Sequence, residues 1–348
     1  MKQILIDADI KRLWVMIEAS TNIVLTCHVR PDGDALGSTL GLAHLLNTLG
    51  KHARVIVPDQ PPKTLAFMPG YKELAIYTKH DPYCHKLVDE ADLIICCDFN
   101  KLSRLDLLEP LISESSKPKV LIDHHEDPDY FADITFSYPD MSSTCELVFR
   151  IIAALGLYRE MNKEAAECIL TGIVTDTRNF TVNISELDIY EILMRLLEKG
   201  VDKNRIVKLS LNTRSLSSLK IQAYAISEKL EIFEKHHGAI ITLDRETLQR
   251  FNYEKGDTEG LVNMPLEVKE IVYSFFLRED AEYIRVSARS QYNFPVSKVC
   301  EDLFGGGGHL QAAGGEFRGS LEECRKLLIE SMPKYDCYLP KAGEYNEI

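Results

Sequence analysis

The sequence predicts an α/β fold: a larger N-terminal domain with a mainly parallel sheet flanked by helices, and a smaller C-terminal α/β domain. Three observations carry that reading. Apolar runs of strand length, over residues 23–27, 91–98 and 119–125, are separated by helical segments, as in strand-helix-strand units. Each of those runs leads into aspartate or histidine. A second set of strand-like runs starts at Gly238, after a long polar helical stretch, as a separate domain would.

In chain order, residues 8–19 form an amphipathic helix carrying Ile10, Leu13, Trp14 and Ile17 toward a core. Residues 23–27 make a buried strand, and 36–49 a helix that stops at Gly50, a suitable C-terminal cap. A strand over 53–57 precedes the proline-bearing stretch 58–69, read as a surface loop. The strands over 91–98 and 119–125 follow. From Ser143 the pattern is helical, over 144–155, 163–178 and 185–199. Residues 203–236, and 215–233 especially, read as helical material joining two domains. Beyond them come strands at 238–243, 271–277 and 283–289, a helix over 295–304, the glycine-rich stretch 305–315, and a closing helix over 321–331.

At 348 residues the chain accommodates two cores. Its net charge of -13 argues against a broad grip on long duplex nucleic acid, which needs a phosphate-neutralising surface. A small anionic substrate held by metals or a few arginines is compatible. Nine cysteines are scattered without a Cys-x-x-Cys pair, and Cys96, Cys97 and Cys168 fall inside apolar runs, the usage of reduced thiols. The N-terminus lacks a signal-peptide layout and no apolar run reaches membrane-spanning length. A cytoplasmic protein with no membrane partner is expected.

The chemistry concentrates at the strand ends. His28, Asp32 and Asp34 fall on a strand-to-helix turn, where open α/β sheets bind ligands. Gly33 lets that turn be tight and the two carboxylates diverge; the plainer alternative is a Pro-Asp-Gly turn with Asp34 capping a helix. Asp98 ends the strand over 91–98, and Asp123, His124 and His125 end that over 119–125. Asp176 lies near the end of an apolar helix, where it needs a partner, a metal or the nearby Arg178. Together His28, Asp32, Asp34, Asp98, His124 and Asp176 supply four carboxylates and two imidazoles, which two divalent cations would neutralise. Mixed oxygen and imidazole ligation points to manganese, with magnesium, iron or cobalt as alternatives and closed structural zinc disfavoured. Such a pair activates a water for in-line attack on phosphorus, with Asp98 as the bridging carboxylate. His125 is a candidate hydrogen-bond donor or acid toward substrate, and Asp123 a partner that orients a histidine; the plainer reading is a surface histidine pair. Gly306, Gly307 and Gly308 offer backbone N–H groups to an anion, with His309 and Arg289 adding side-chain donors. Their plainer reading is a flexible loop beside solvated charges.

The ordered set His28-x-x-Pro-Asp-Gly-Asp34, Asp98, Asp123-His124-His125 and Asp176 resembles the four motifs of the DHH phosphoesterase superfamily, and Gly305-Gly-Gly-Gly-His309 with Arg289 resembles its DHH-associated C-terminal domain. The resemblance covers nearly the whole chain. It implies a catalytic domain over 1–205 with two manganese ions, a helical linker over 206–236, a substrate-binding domain over 237–340, and an active site in the cleft between the domains. It also implies that His28 and Asp32 bind one ion, that Asp34, His124 and Asp176 bind the other, that Asp98 bridges, and that His125 faces substrate. Arg289, the glycine loop and His309 would hold the phosphate or terminal nucleotide, and residues 257–263 resemble a further cleft segment. One departure is Glu126-Asp127-Pro128-Asp129, where many relatives carry an asparagine. Within the superfamily the two-domain layout is most similar to the branch that hydrolyses very short RNAs and 3'-phosphoadenosine 5'-phosphate (pAp). Short single-stranded RNA or a nucleotide is therefore the expected substrate, and a homodimer is compatible. Two rivals stand beside it: an inorganic pyrophosphatase or exopolyphosphatase on the same metal core, and a non-catalytic nucleotide sensor.

Overall fold

The structure is a computed structural model that describes residues 4–182, 184 and 187–340; these divide between Thr213 and Arg214 into two compact units. The first holds one six-stranded sheet: β1 (Asn22–Thr26), β2 (His52–Val57), β3 (Ala75–Ile76), β4 (Leu93–Cys97), β5 (Lys119–Asp123) and β6 (Ile134–Ser137). The order is β3-β2-β1-β4-β5-β6 and every pairing is parallel. The edge strands β3 and β6, two and four residues long, lack the length to show as apolar runs.

Its helices are α1 (Asp7–Ala19), α2 (Gly33–Thr48), α3 (Tyr77–Asp89), α4 (Glu109–Ser113), α5 (Thr144–Ala154), α6 (Lys163–Asp176), α7 (Asp188–Glu198) and α8 (Lys203–Ser210). Both faces of the sheet are covered. Ile23 and Leu25 of β1 join a core with α1, α2, α5, α6 and α7, while Val24 joins a second core with α3 and α4. A strand buried on both faces reads as continuous apolar sequence. Each fully buried aliphatic side chain contributes about 1.5–3 kcal/mol. The helix expected over 185–199 begins on residues outside those described, and its remainder is α7.

After β1 the chain steps outward to β2 and β3, then returns to lay β4 on the other side of β1. That reversal is the position at which an open parallel sheet leaves a crevice at its carboxyl edge. On one face, α2 and α6 lie close together because Gly33, Gly37 and Gly41 form a stripe one turn apart. A Cβ on Gly33 would stand 2.2 Å from Thr175 Oγ1, and one on Gly41 2.6 Å from Ile169 Cγ1. Gly33 therefore serves helix packing; its backbone is not left-handed, so the turn into α2 does not draw on glycine's conformational freedom there. The stretch 58–69 differs from a pure surface loop, since Leu65 and Met68 are buried in the first core.

The second unit is a mixed sheet of β7 (Leu230–Phe233), β8 (Gly238–Leu243), β9 (Tyr273–Glu279), β10 (Ile284–Ser290), β11 (Gly307–His309) and β12 (Ala312–Phe317). The order is β11-β12-β10-β9-β8-β7, with only β8 and β9 parallel. Helices α9 (Leu216–Glu228) and α10 (Arg245–Arg250) supply Ile221, Ala225 and Leu248 to one core. Helices α11 (Val296–Phe304) and α12 (Leu321–Tyr335) supply Val299, Cys300, Cys324 and Leu328 to the other.

The expected domain boundaries are corrected accordingly. A cut at 205/206 falls inside α8, whose Ile206 belongs to the first core. Residues 206–236 are not a free-standing helical linker, because α9 packs into the second unit and residues 230–233 pair with β8. The inward side of α9 mixes Ser218 and Gln222 with Ile221 and Ala225, so no clean apolar stripe marks it in the sequence. Among the described residues no helix is long and apolar enough to cross a membrane. All nine cysteines are free thiols, and Cys337 alone is exposed.

Candidate metal centre

His28 lies two residues beyond β1, Asp98 directly after β4, Asp123 at the end of β5 with His124 and His125 following, and Asp176 at the end of α6. Asp32, not Asp34, caps α2: its Oδ1 accepts the N–H groups of Asp34 and Ala35, both at 3.0 Å. Asp34 sits in the first turn, 1% exposed. Its two oxygens accept the backbone N–H groups of Thr144 at 2.6 Å and Cys145 at 2.9 Å, the first residues of α5. A helix N-terminus holds a carboxylate well, because its first N–H groups have no partner within the helix. Asp98 adopts a left-handed backbone, φ +65°, a conformation costing roughly 1–2 kcal/mol for an L-residue.

The side chains gather in two groups around Asp98. His28 Nε2 lies 3.4 Å from Asp98 Oδ2 and 3.8 Å from Asp32 Oδ2. His124 Nε2 lies 3.8 Å from Asp98 Oδ1, 3.9 Å from Asp34 Oδ2 and 3.5 Å from Asp176 Oδ2. The two oxygens of Asp98 thus face different histidines. In each of the sets His28, Asp32, Asp98 and Asp34, His124, Asp176, the donor atoms lie within 4.8 Å of one another. Around an ion with ligands at about 2.1 Å, neighbouring and opposite donors stand roughly 3 to 4 Å apart, so these spacings suit a small divalent cation.

The imidazoles are oriented for the same task. His28 Nδ1 lies 2.8 Å from the Val29 carbonyl and His124 Nδ1 3.1 Å from that of Met141. A carbonyl only accepts, so each Nδ1 carries a hydrogen and donates it, leaving Nε2 as the atom turned to the carboxylates and the one that would ligate a cation once free of its own proton.

The protein's own charges are unbalanced there. Burial, then the nearby Asp98 and Asp32 charges, push Asp34 well above the usual carboxylate range. Burial followed by Asp34, Asp32 and Asp98 does the same to Asp176. Asp98 is held low: burial opposes its charge, and the His28 hydrogen bond with the His28, His124 and His125 charges overcomes that. Burial lowers His28, yet the hydrogen bond to Asp98 and the Asp32 and Asp98 charges raise it to about 9. Carboxylates that repel one another this strongly in a buried setting are short of positive charge. Divalent cations would supply it, and the donor set fits them.

His125 donates its backbone N–H to Asp123 Oδ2 at 3.1 Å, and its Nδ1 lies 2.7 Å from Asp123 Oδ1. Asp123, fully buried, therefore orients His125. His125 also lies close enough to Asp98 and His124 to form a third donor group.

Sequence reasoning located the start of α5 but gave it no part in the site. The Thr144 hydroxyl donates to Asp98 Oδ1 at 2.9 Å. Ser143 caps the helix by accepting the Glu146 N–H. Glu146 in turn accepts from the Ser142 N–H and hydroxyl and pairs with buried Arg150, which reaches Asp188 at 3.1 Å. The spacing Ser143-x-x-Glu146 is a helix-start signal that marks this turn in the sequence.

In the second unit, Arg289 and His309 are both paired in register with Ala312, on either side of it. Directly opposed residues share a face of the sheet, so Arg289 and His309 stand two strand spacings apart, about 10 Å between backbones, on either side of a small alanine. The glycines 305–308 form no loose loop. Gly305 closes α11 at φ +58°, and Gly306 meets β12 so closely that a Cβ would lie 1.9 Å from the Gly314 carbonyl oxygen. The Gly306 N–H donates to the Cys300 carbonyl. In the segment 257–263, Asp257 is a bracket: it accepts the Ser215 hydroxyl and the Glu254 N–H.

Residues 22–173 match the model of the DHH family N-terminal domain, and residues 239–334 match that of the DHHA1 domain. A bifunctional oligoribonuclease and PAP phosphatase, NrnA, from Thermus thermophilus is 30% identical over 314 residues, 89% of each chain. The chain belongs to the DHH phosphoesterase family. This DHH phosphoesterase is also 27% identical to the Bacillus subtilis NrnA, over 88% of its own length and 93% of the relative's. The crystal structure of an exopolyphosphatase-related protein from Bacteroides fragilis superposes with a TM-score of 0.95 at 42% identity, covering 97% of this chain and 99% of that one. A DHH phosphoesterase is a hydrolase.

Proposed function

We propose that this DHH phosphoesterase hydrolyses very short oligoribonucleotides, linear dinucleotides such as pApA among them, to mononucleotides, and pAp to AMP, with two divalent cations, manganese first. The observation that carries it is the carboxylate of Asp98, turned between His28 on one side and His124 on the other. The full-length likeness to the NrnA enzymes supports the substrate class. In this reading His28 and Asp32 hold one cation, Asp34, His124 and Asp176 the other, and Asp98 both. Bound cations would lower the pKa of a water and offset the charge that grows on phosphorus. His125, oriented by Asp123, donates to a phosphoryl oxygen or to the leaving group. Arg289, His309 and the Gly306, Gly307 and Gly308 backbone bind the terminal phosphate or nucleotide.

The acidic chain, at net charge -13, favours short substrates over long polyanions. The test is a product time course on labelled RNAs of two to five nucleotides with manganese, run beside pAp, a long single strand and pyrophosphate. Release of mononucleotides from the short RNAs alone supports the proposal; equal degradation of the long strand refutes the length preference. The likeness to the exopolyphosphatase-related protein favours a second reading, hydrolysis of inorganic polyphosphate, and the pyrophosphate arm with a polyphosphate arm added decides it.

A further inference from the structure

We infer that Thr144 is a positioning residue that sets the planes of Asp98 and Asp34 together, held in place by the buried Glu146–Arg150 pair behind it. This rests on the two-cation reading above. Thr144 reaches two carboxylates that arrive from different parts of the fold. Its N–H donates to Asp34 Oδ2 at 2.6 Å, and its hydroxyl to Asp98 Oδ1 at 2.9 Å. As the first residue of α5, it has no carbonyl one turn earlier in the helix to take its hydroxyl, which is available to Asp98.

The hydroxyl matters because a carboxylate's terminal torsion is broad and does not choose a plane by itself. Asp98 must offer Oδ2 toward His28 and Oδ1 toward His124 at the same time. A donor fixed at 2.9 Å on Oδ1 selects that plane from the range the torsion allows. Thr144 is in turn fixed from behind. Glu146 Oε2 accepts the Ser142 N–H at 3.0 Å and hydroxyl at 2.6 Å, and Glu146 Oε1 takes the Arg150 guanidinium at 2.7 Å. These groups are buried, so the turn over 142–144 has little freedom to drift.

The experiment measures manganese affinity on the full chain, stripped with a chelator, by calorimetric titration of the metal alone, with melting temperature recorded for each variant. Thr144→Val should weaken manganese binding about 10- to 100-fold, the usual loss when a partner behind a ligand is removed. Thr144→Ser, which keeps the donor, should bind close to the parent value. Parent-like affinity in Thr144→Val overturns the inference. If Thr144→Val melts below the assay temperature, Thr144→Ser and Thr144→Ala decide: alanine weaker than serine supports the role, and equal affinity refutes it. A parent chain that binds no manganese fails the two-cation reading itself and the inference with it, an outcome distinct from a failure confined to the variants.

Discussion

Gly172 of α6 lies so close to Asp34 of α2 that a Cβ added to it would stand 2.9 Å from Asp34 Oδ1 and 2.2 Å from Cys145 Sγ. Close helix packing and the placement of a buried carboxylate are thus one arrangement. Gly172→Ala is expected to cost about 1–3 kcal/mol of stability through overpacking and to weaken manganese binding by displacing Asp34. Urea unfolding beside a metal titration checks both; a stable variant with parent affinity would show that the contact is slack.

Asp98→Ala should abolish turnover and bound manganese while the chain stays folded, because the residue follows β4 and leaves the apolar core intact. Metal analysis and circular dichroism on the same preparation test this. Activity equal to the parent's would remove Asp98 from the mechanism.

His125→Ala separates a substrate-facing histidine from a ligand. With Nδ1 committed to Asp123, the proposal expects turnover to fall about 10²–10⁴-fold with metal content retained. Loss of manganese in that variant would make His125 a ligand, as its place beside Asp98 and His124 permits.

Arg150→Ala leaves Glu146, and in part Asp188, without their shared cation in a buried setting. A loss of about 3–5 kcal/mol is expected, far more than for an exposed pair. Denaturant midpoints compared with Lys326→Ala, an exposed ion-pair residue, provide the measure.

Gly306→Ala tests the hairpin. The added methyl has no room against the Gly314 carbonyl, so the second unit should lose about 1–3 kcal/mol. A variant that melts like the parent but fails to bind nucleotide would assign this glycine to substrate contact alone.

Much of this protein was legible in the order of its residues, because a strand buried on both faces must be apolar throughout and a ligand at its end must be polar. That contrast marked β1, β4 and β5, and with them His28, Asp98 and His124. It failed where length or context hides the signal. Strand β3 is two residues long, and α9 buries Ser218 and Gln222 beside Ile221 and Ala225 while Leu216 and Leu219 face solvent. The glycines at 305–308 read as freedom in sequence and act as close contact in space.

By itself the sequence determined the fold class, the edge of the sheet where His28, Asp98 and His124 gather, and the kinds of donor available there. Only the tertiary structure decided which oxygen of Asp98 faces which histidine, that Asp32 is the cap and Asp34 the buried carboxylate, and that Thr144 reaches both Asp34 and Asp98. The reason is physical. Residue type and period follow from local burial, whereas the partner of a given oxygen depends on helices and strands distant in the chain meeting at one point.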